Sequence, residues 1–160
     1  MYKTKNDLPE ATRTSLVDLL NRRLADTLDF QSHCKQAHWN VRGPSFIALH
    51  ELFDKVNEDA EDYVDLIAER AIQLGGSVQG TVRVAAQRST LAEYAAKSDG
   101  GKDHVEALST SLAAFGKVAR QAIDQSSELK DADTADIFTE ISRGVDKWLW
   151  MVEAHQQVDR

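Results

Sequence analysis

The chain has 160 residues, 42% hydrophobic and 28% charged, with eight Gly, two Pro and a single Cys. At this length one domain buries roughly 70% of the surface its unfolded form exposes, so neither disulfides nor a structural metal is needed for a core. Cys34 lacks a partner for an internal bridge, which suits a reducing compartment, and no apolar run approaches the roughly 18 residues of a membrane span. Nineteen Lys and Arg against 26 Asp and Glu leave a net charge of −7, a surface that repels phosphate backbones and attracts cations.

Few breakers and many Ala and Leu favour helix throughout, and the breakers gather where helices would end. A first helix is predicted from Pro9 to Val41, with Leu16, Leu20, Leu24 and Leu28 on every fourth residue, closed by Arg42-Gly43-Pro44. Pro44 opens a second. Its stripe of Phe46, Leu49, Phe53, Val56, Ala60, Val64, Ile67 and Ala71 runs to the Leu74-Gly75-Gly76 stop. The 27 residues from Gly75 to Gly101 hold a weakly helical Thr81 to Arg88 and are long enough to cross a bundle. A third helix is expected from Lys102 to Glu128, with Val105, Leu108, Leu112, Phe115, Ala119 and Ile123 on one face. A fourth follows from Thr134 to Val158, N-capped by Asp133, with Ile137, Ile141, Val145, Trp148 and Val152 as its stripe. Short outer connections and a long middle one describe an all-α four-helix bundle with a crossover between helices two and three, spanning 9–158 after a short tail of 1–8. The period alone leaves other all-α topologies open.

His50, Asp54, Asp65 and Glu69 fall at about 0°, 40°, 60° and 100° around the second helix, on one face. Along the axis Asp54 and Asp65 are about 16 Å apart, so one helix cannot bring all four to one metal. The spacing is palindromic: positions 50 and 69 share the midpoint 59.5 with positions 54 and 65. Two copies crossing antiparallel about a two-fold axis near Asp59 and Ala60 would set His50 and Asp54 of one against Glu69 and Asp65 of the other, twice over. His38, twelve residues before His50 and across the Gly43-Pro44 turn, can join as a further ligand. Imidazole and carboxylate without thiolate suit iron, manganese or zinc. Taken singly, each of these residues is also a solvated helix-face charge or a satisfied polar side chain; their shared register argues for a site.

Other chemistries lack their signatures. No Glu is followed by His three residues on, and His50-Glu51-Leu52-Phe53-Asp54 departs from the zinc-protease His-Glu-x-x-His at its last position. A phosphate-binding glycine loop and a nucleophile elbow are absent too.

At His38-Trp39-Asn40-Val41-Arg42-Gly43, Phe46-Ile47-Ala48-Leu49-His50-Glu51-Leu52-Phe53-Asp54 and Asp65-Leu66-Ile67-Ala68-Glu69-Arg70 the chain closely resembles the Dps family, the miniferritins or DNA-binding proteins from starved cells. The likeness extends from Asn6 through Asp133-Thr134-Ala135-Asp136-Ile137-Phe138 to Asp146-Lys147-Trp148-Leu149-Trp150. It implies a ferritin-like four-helix subunit with a short extra helix in the crossover, a hollow homododecamer, and a bacterial location in cytoplasm or nucleoid. It also implies ferroxidase sites shared across two-fold axes, with His38, His50 and Asp54 from one subunit and Asp65 and Glu69 from its partner. The implied reaction is Fe(II) oxidation, preferably by hydrogen peroxide and otherwise by dioxygen, with ferric mineral stored in the cavity, DNA protected from oxidation, and zinc as a competitor for the site.

The resemblance further implies that Trp39 lies near the iron and accepts oxidising equivalents and that Lys35 orders water there; core packing for Trp39 and a solvated ammonium for Lys35 are the alternatives. Asp124, Glu128, Asp131, Asp133 and Asp136 surround the last turn, where the family has three-fold pores, and could draw Fe(II) inward; capping and solvated charge would also account for them. DNA contact rests on Lys3 and Lys5 alone, opposed by Asp7 and Glu10, while the chain ends in Asp159-Arg160. Such binding is expected to be weak and salt-sensitive, although divalent ions could bridge two negative partners. A non-enzymatic DNA-compacting shell with structural metal sites remains the second reading.

Overall fold

A computed structural model describes residues 1–156. Four long helices and one short one follow in order: α1 (Glu10–Asn40), α2 (Phe46–Gln73), α3 (Val82–Arg88), α4 (Gly101–Glu128) and α5 (Ala132–Glu153), with a closing 3-10 turn over Ala154–Gln156. The four-helix pattern predicted from the sequence is therefore present, and the weakly helical crossover segment is α3. The last helix starts at Ala132 with Asp131 in the N-cap position, two residues before the expected boundary. The expected end at Val158 and the Asp159-Arg160 pair lie outside the described residues.

Helix ends follow local backbone chemistry. α1 stops where Val41 turns extended (φ −60°, ψ 136°), and Gly43 at φ 116° and Pro44 complete the reversal into α2. α2 ends at Gly75, whose φ of 85° suits glycine, and a Cβ there would meet the Tyr2 carbonyl oxygen at 2.9 Å. α4 ends on Lys130, in the left-handed region at φ 58°.

α1 packs chiefly on α2, and α4 on α5, while α3 lies across α1. The expected stripes meet inside: Leu16, Leu20 and Leu24 of α1, Phe53 and Ile67 of α2, Leu108, Leu112 and Phe115 of α4, and Ile141 and Val145 of α5 are all fully or nearly fully buried. On α5, however, Phe138 takes the core position expected of Ile137, which is only partly buried. Phe30 stacks on Phe115 with ring centroids 4.8 Å apart, tying α1 to α4. Truncating such a ring to Ala costs about 3–5 kcal/mol. The crossover is held by polar bonds as well. Asp26, buried in α1, accepts from the Thr90 amide at 2.6 Å and its hydroxyl at 2.9 Å, and the Arg42 amide bonds the Asp99 carbonyl at 2.8 Å.

Candidate metal centre

The α1–α2 turn brings His38, near the C-terminus of α1, beside His50 in the second turn of α2. Their rings stack at 3.7 Å, and each bonds the other's backbone: His38 Nδ1 lies 2.8 Å from the His50 carbonyl oxygen and His50 Nδ1 2.9 Å from that of His38. A carbonyl only accepts, so both Nδ1 atoms carry hydrogen, and the Nε2 atoms are the ring positions not used by this clasp. The His38 carbonyl belongs to the last turn of α1 and has no partner within the helix, so the imidazole of His50 also finishes that helix end. Reciprocal donation of this kind fixes the tautomer and orientation that a metal-binding imidazole requires.

Asp54 stands one turn beyond His50, its carboxylate 3.8 Å from His38 Nδ1 and 2.7 Å from Lys35 Nζ. The Lys35 hydrogen bond is the largest influence and, with the electrostatic surroundings, holds the carboxyl below the usual range against the opposing pull of burial. Asp54 is therefore ionised and half-exposed, ready for a cation. Lys35 accordingly pairs with Asp54 rather than standing as a solvated ammonium, and it lies 5.9 Å from the ring of Trp39. Trp39 itself is 69% exposed, which rules out the alternative of core packing.

Asp65 and Glu69 lie further along α2, both exposed, and the fold of one chain does not carry them to His38, His50 and Asp54. Among the described residues, no three His, Cys, Asp or Glu side chains converge as a metal cage. One chain thus carries two separate groups: partly buried imidazoles with one carboxylate near the start of α2, and two exposed carboxylates further along it.

Of the five acids around the α4–α5 turn, Asp124, Glu128, Asp133 and Asp136 are exposed. Asp131 is only 3% exposed and receives both Oδ bonds from Arg70 Nη2, at 2.8 and 3.0 Å, as well as the Thr134 hydroxyl. Burial would raise its carboxyl; the bonds from Thr134 and Arg70 outweigh that and hold it below the ordinary value. As a pore acid Asp131 is thus corrected: its charge is neutralised within the subunit, locking α2 to the start of α5. The sequence gives no sign of this, because Arg70 and Asp131 are 61 positions apart.

Lys3 and Lys5 are exposed, but their segment is tied to the bundle. The Tyr2 amide bonds the Gly75 carbonyl at 2.8 Å, the Tyr2 hydroxyl donates to the Ile72 carbonyl, and Arg13 reaches the Leu8 and Leu74 carbonyls. Trp148 packs in the bundle with its Nε1 donating to Asp59 at 2.6 Å, whereas Trp150 is 64% exposed. A polar cluster not foreseen from the sequence joins α1, the crossover and α4 through His33, Tyr94 and His104. Its members are scattered along the chain and share no spacing.

The chain and its bundle have close counterparts. The family model for the ferritin-like domain matches residues 17–160. The chain is 42% identical over 156 residues to the DNA protection during starvation protein of Agrobacterium fabrum, covering 98% of this chain and 96% of that one. Among solved structures it superposes on Dps of Mycobacterium smegmatis with a TM-score of 0.92, at 29% identity and 98% and 96% coverage. Dps of Microbacterium arborescens, in what is described as its high iron form, gives 0.85 at 33% identity, with 97% and 99% coverage. Bundle topology, the short crossover helix and near full-length similarity agree with the motifs around His38, His50 and Asp65, and the chain belongs to the Dps family of ferritin-like proteins.

Proposed function

We propose that this chain is the subunit of an iron-sequestering ferroxidase, taking Fe(II) as substrate at sites shared by two-fold-related copies and storing the ferric product inside a hollow homododecamer. The observation that carries the proposal is the reciprocal His38–His50 clasp, which uses neither Nε2 atom, with the ionised Asp54 3.8 Å from His38 Nδ1 and no cage closed among the described residues. The palindromic placement of Asp65 and Glu69 on the same helix supplies the missing carboxylates from a second copy. Carboxylates favour Fe(III) over Fe(II), so the same shell that binds the substrate promotes its oxidation. Hydrogen peroxide is the preferred oxidant in this reading: two irons and two protons convert one peroxide to two waters, and no radical is released. Lys35 keeps Asp54 ionised and oriented until iron arrives. Exposed Asp124, Glu128, Asp133 and Asp136 would gather Fe(II) where copies meet.

Protection of DNA then follows from removing iron and peroxide, without a requirement to bind DNA. The tethered N-terminal segment and the net charge of −7 weigh against a DNA-compacting shell as the main role. The test is anaerobic addition of Fe(II) to metal-free protein at a few ions per subunit, then peroxide, following ferric absorbance and the iron that elutes with protein on gel filtration. Fast oxidation with retained iron is expected. Oxidation no faster than in buffer, with precipitation outside the protein, would overturn the reading.

A further inference from the structure

The polar cluster between α1, the crossover and α4 contains a hydrogen-bonded phenol and imidazole that the iron site does not use. Tyr94 OH lies 2.8 Å from His104 Nδ1, and the rings stack at 6.0 Å between centroids. His104 is 2% exposed, and among the described residues its Nε2 has no hydrogen-bond partner. On the other side of Tyr94, the His33 ring sits at 5.4 Å, its Nδ1 3.1 Å from Ser111 Oγ and its Nε2 3.4 Å from Asp29. Burial pushes the Tyr94 phenol up and the His104 imidazole down, so the phenol keeps its proton and donates it to a neutral ring. Tyr94 also lines a cavity of about 910 Å³ whose wall includes Trp39 and Lys35, the latter bonded to Asp54.

We propose that Tyr94 is a one-electron donor whose phenolic proton passes to His104 Nδ1 as the electron leaves, so that the pair quenches radical oxidants reaching this cavity. A phenol that loses an electron becomes a very strong acid, and a prealigned acceptor lets proton and electron leave together, avoiding the high-energy cation. The oxidant is of the hydroxyl-radical class, formed when a half-filled site passes a single electron from Fe(II) to peroxide. That radical takes one electron and leaves as hydroxide; the Tyr94 O–H bond breaks, the N–H bond forms on His104, and a neutral phenoxyl faces an imidazolium. Asp99 and Asp103 lie close enough to favour that imidazolium. A later Fe(II) returns the electron, the proton moves back from His104, and the iron leaves as Fe(III). The source of the oxidant rests on the ferroxidase reading, whereas the donor chemistry does not.

The test therefore uses iron-free protein with a photogenerated ruthenium(III) tris-bipyridine oxidant, freeze-quenched for electron paramagnetic resonance. A phenoxyl signal is expected in the parent chain and in Tyr63→Phe, and its loss in Tyr94→Phe. His104→Gln should slow formation about tenfold or more and abolish its solvent deuterium effect. Persistence of the same signal in Tyr94→Phe, or an unchanged rate in a folded His104→Gln, overturns the proposal. If His104→Gln does not assemble, high-field g values of the parent radical decide: a phenoxyl accepting a hydrogen bond from an imidazolium supports the pair, and a free phenoxyl refutes it. Failure of iron oxidation with this radical present would discard only the ferroxidase reading.

Discussion

Polar clusters stand at both ends of α2, and they are finished in opposite ways. Near its C-terminus Arg70 directs its donors into the protein, to Thr134 at 3.0 Å, Gln73 at 3.4 Å and both oxygens of Asp131. Near its N-terminus His38 and His50 satisfy one ring nitrogen each on the backbone and leave the other without a hydrogen bond among the described residues, while the ionised Asp54 stands close to His38. Closed clusters of the first kind are joints. Open ones, oriented but unfinished, are what a ligand completes, and the difference separates two groups of charged residues that look alike in the sequence.

Substituting the open cluster should give the largest effect on chemistry and a small one on folding. His50→Ala or Asp54→Ala is expected to lower peroxide-driven iron oxidation by about a hundredfold or more, beyond the roughly 10–100-fold typical of outer-shell changes. The melting temperature should move little, since His50→Ala loses one hydrogen bond, on the order of 1 kcal/mol, and Asp54→Ala one partly exposed ion pair with Lys35, about 0–1 kcal/mol. Stopped-flow absorbance and thermal melts on the same samples check both halves. A collapse in stability with these variants would mean the cluster is a joint after all.

Asp131→Ala should do the reverse. It removes the main charge partner of the buried Arg70 guanidinium, leaving only the exposed Asp133 at 3.6 Å, at a cost of up to about 3–5 kcal/mol, which for a chain of this size is a fall in Tm on the order of 10 °C. Calorimetry at fixed protein concentration reads it, and a shift of a degree or two would place Arg70 in water instead.

The His33–Tyr94–His104 cluster falls between the two cases. Burial lowers both imidazoles from their ordinary value of 6.5, so the unfolded chain binds more protons in the window beneath it. Stability from the neutral rings is complete above pH 6.5 and is lost as the pH falls through their folded values. Amide protection factors across 89–100, corrected for the intrinsic pH dependence of exchange, should accordingly fall between pH 7.5 and 5.5 more than those in the middle of α4. Equal protection at both pH values would contradict this. The smallest effect is expected at the tail: Lys3→Ala with Lys5→Ala should reduce the salt slope of any DNA retention by at most about two contacts, and strong low-salt retention lost on this change would restore the DNA-shell reading.

Much of this was legible in the sequence, where a local period carries the information. Leucines and phenylalanines at three- and four-residue steps mark the four stripes, and Gly43-Pro44 and Gly75-Gly76 mark the breaks, because helix geometry and backbone freedom act over a few residues. His50, Asp54, Asp65 and Glu69 show themselves by sharing one helix face. Asp131 did not: proximity in sequence grouped it with exposed acids, while its partner Arg70 comes from another helix. Tyr94 and His104 stayed hidden for the same reason, and the anchoring of Tyr2 at Gly75 depends on a backbone bond that side-chain pattern does not encode.

The central claim is that each site is built from two copies, and complementation tests it most directly. One chain carries His50→Ala with Asp54→Ala, the other Asp65→Ala with Glu69→Ala; each assembled alone should lack rapid iron oxidation. Co-expressed at equal levels, they should form mixed two-fold pairs in which one of the two sites is intact, restoring about a quarter of the parent activity. If mixed assemblies form and activity stays at the level of either variant alone, the five residues do not make a shared site.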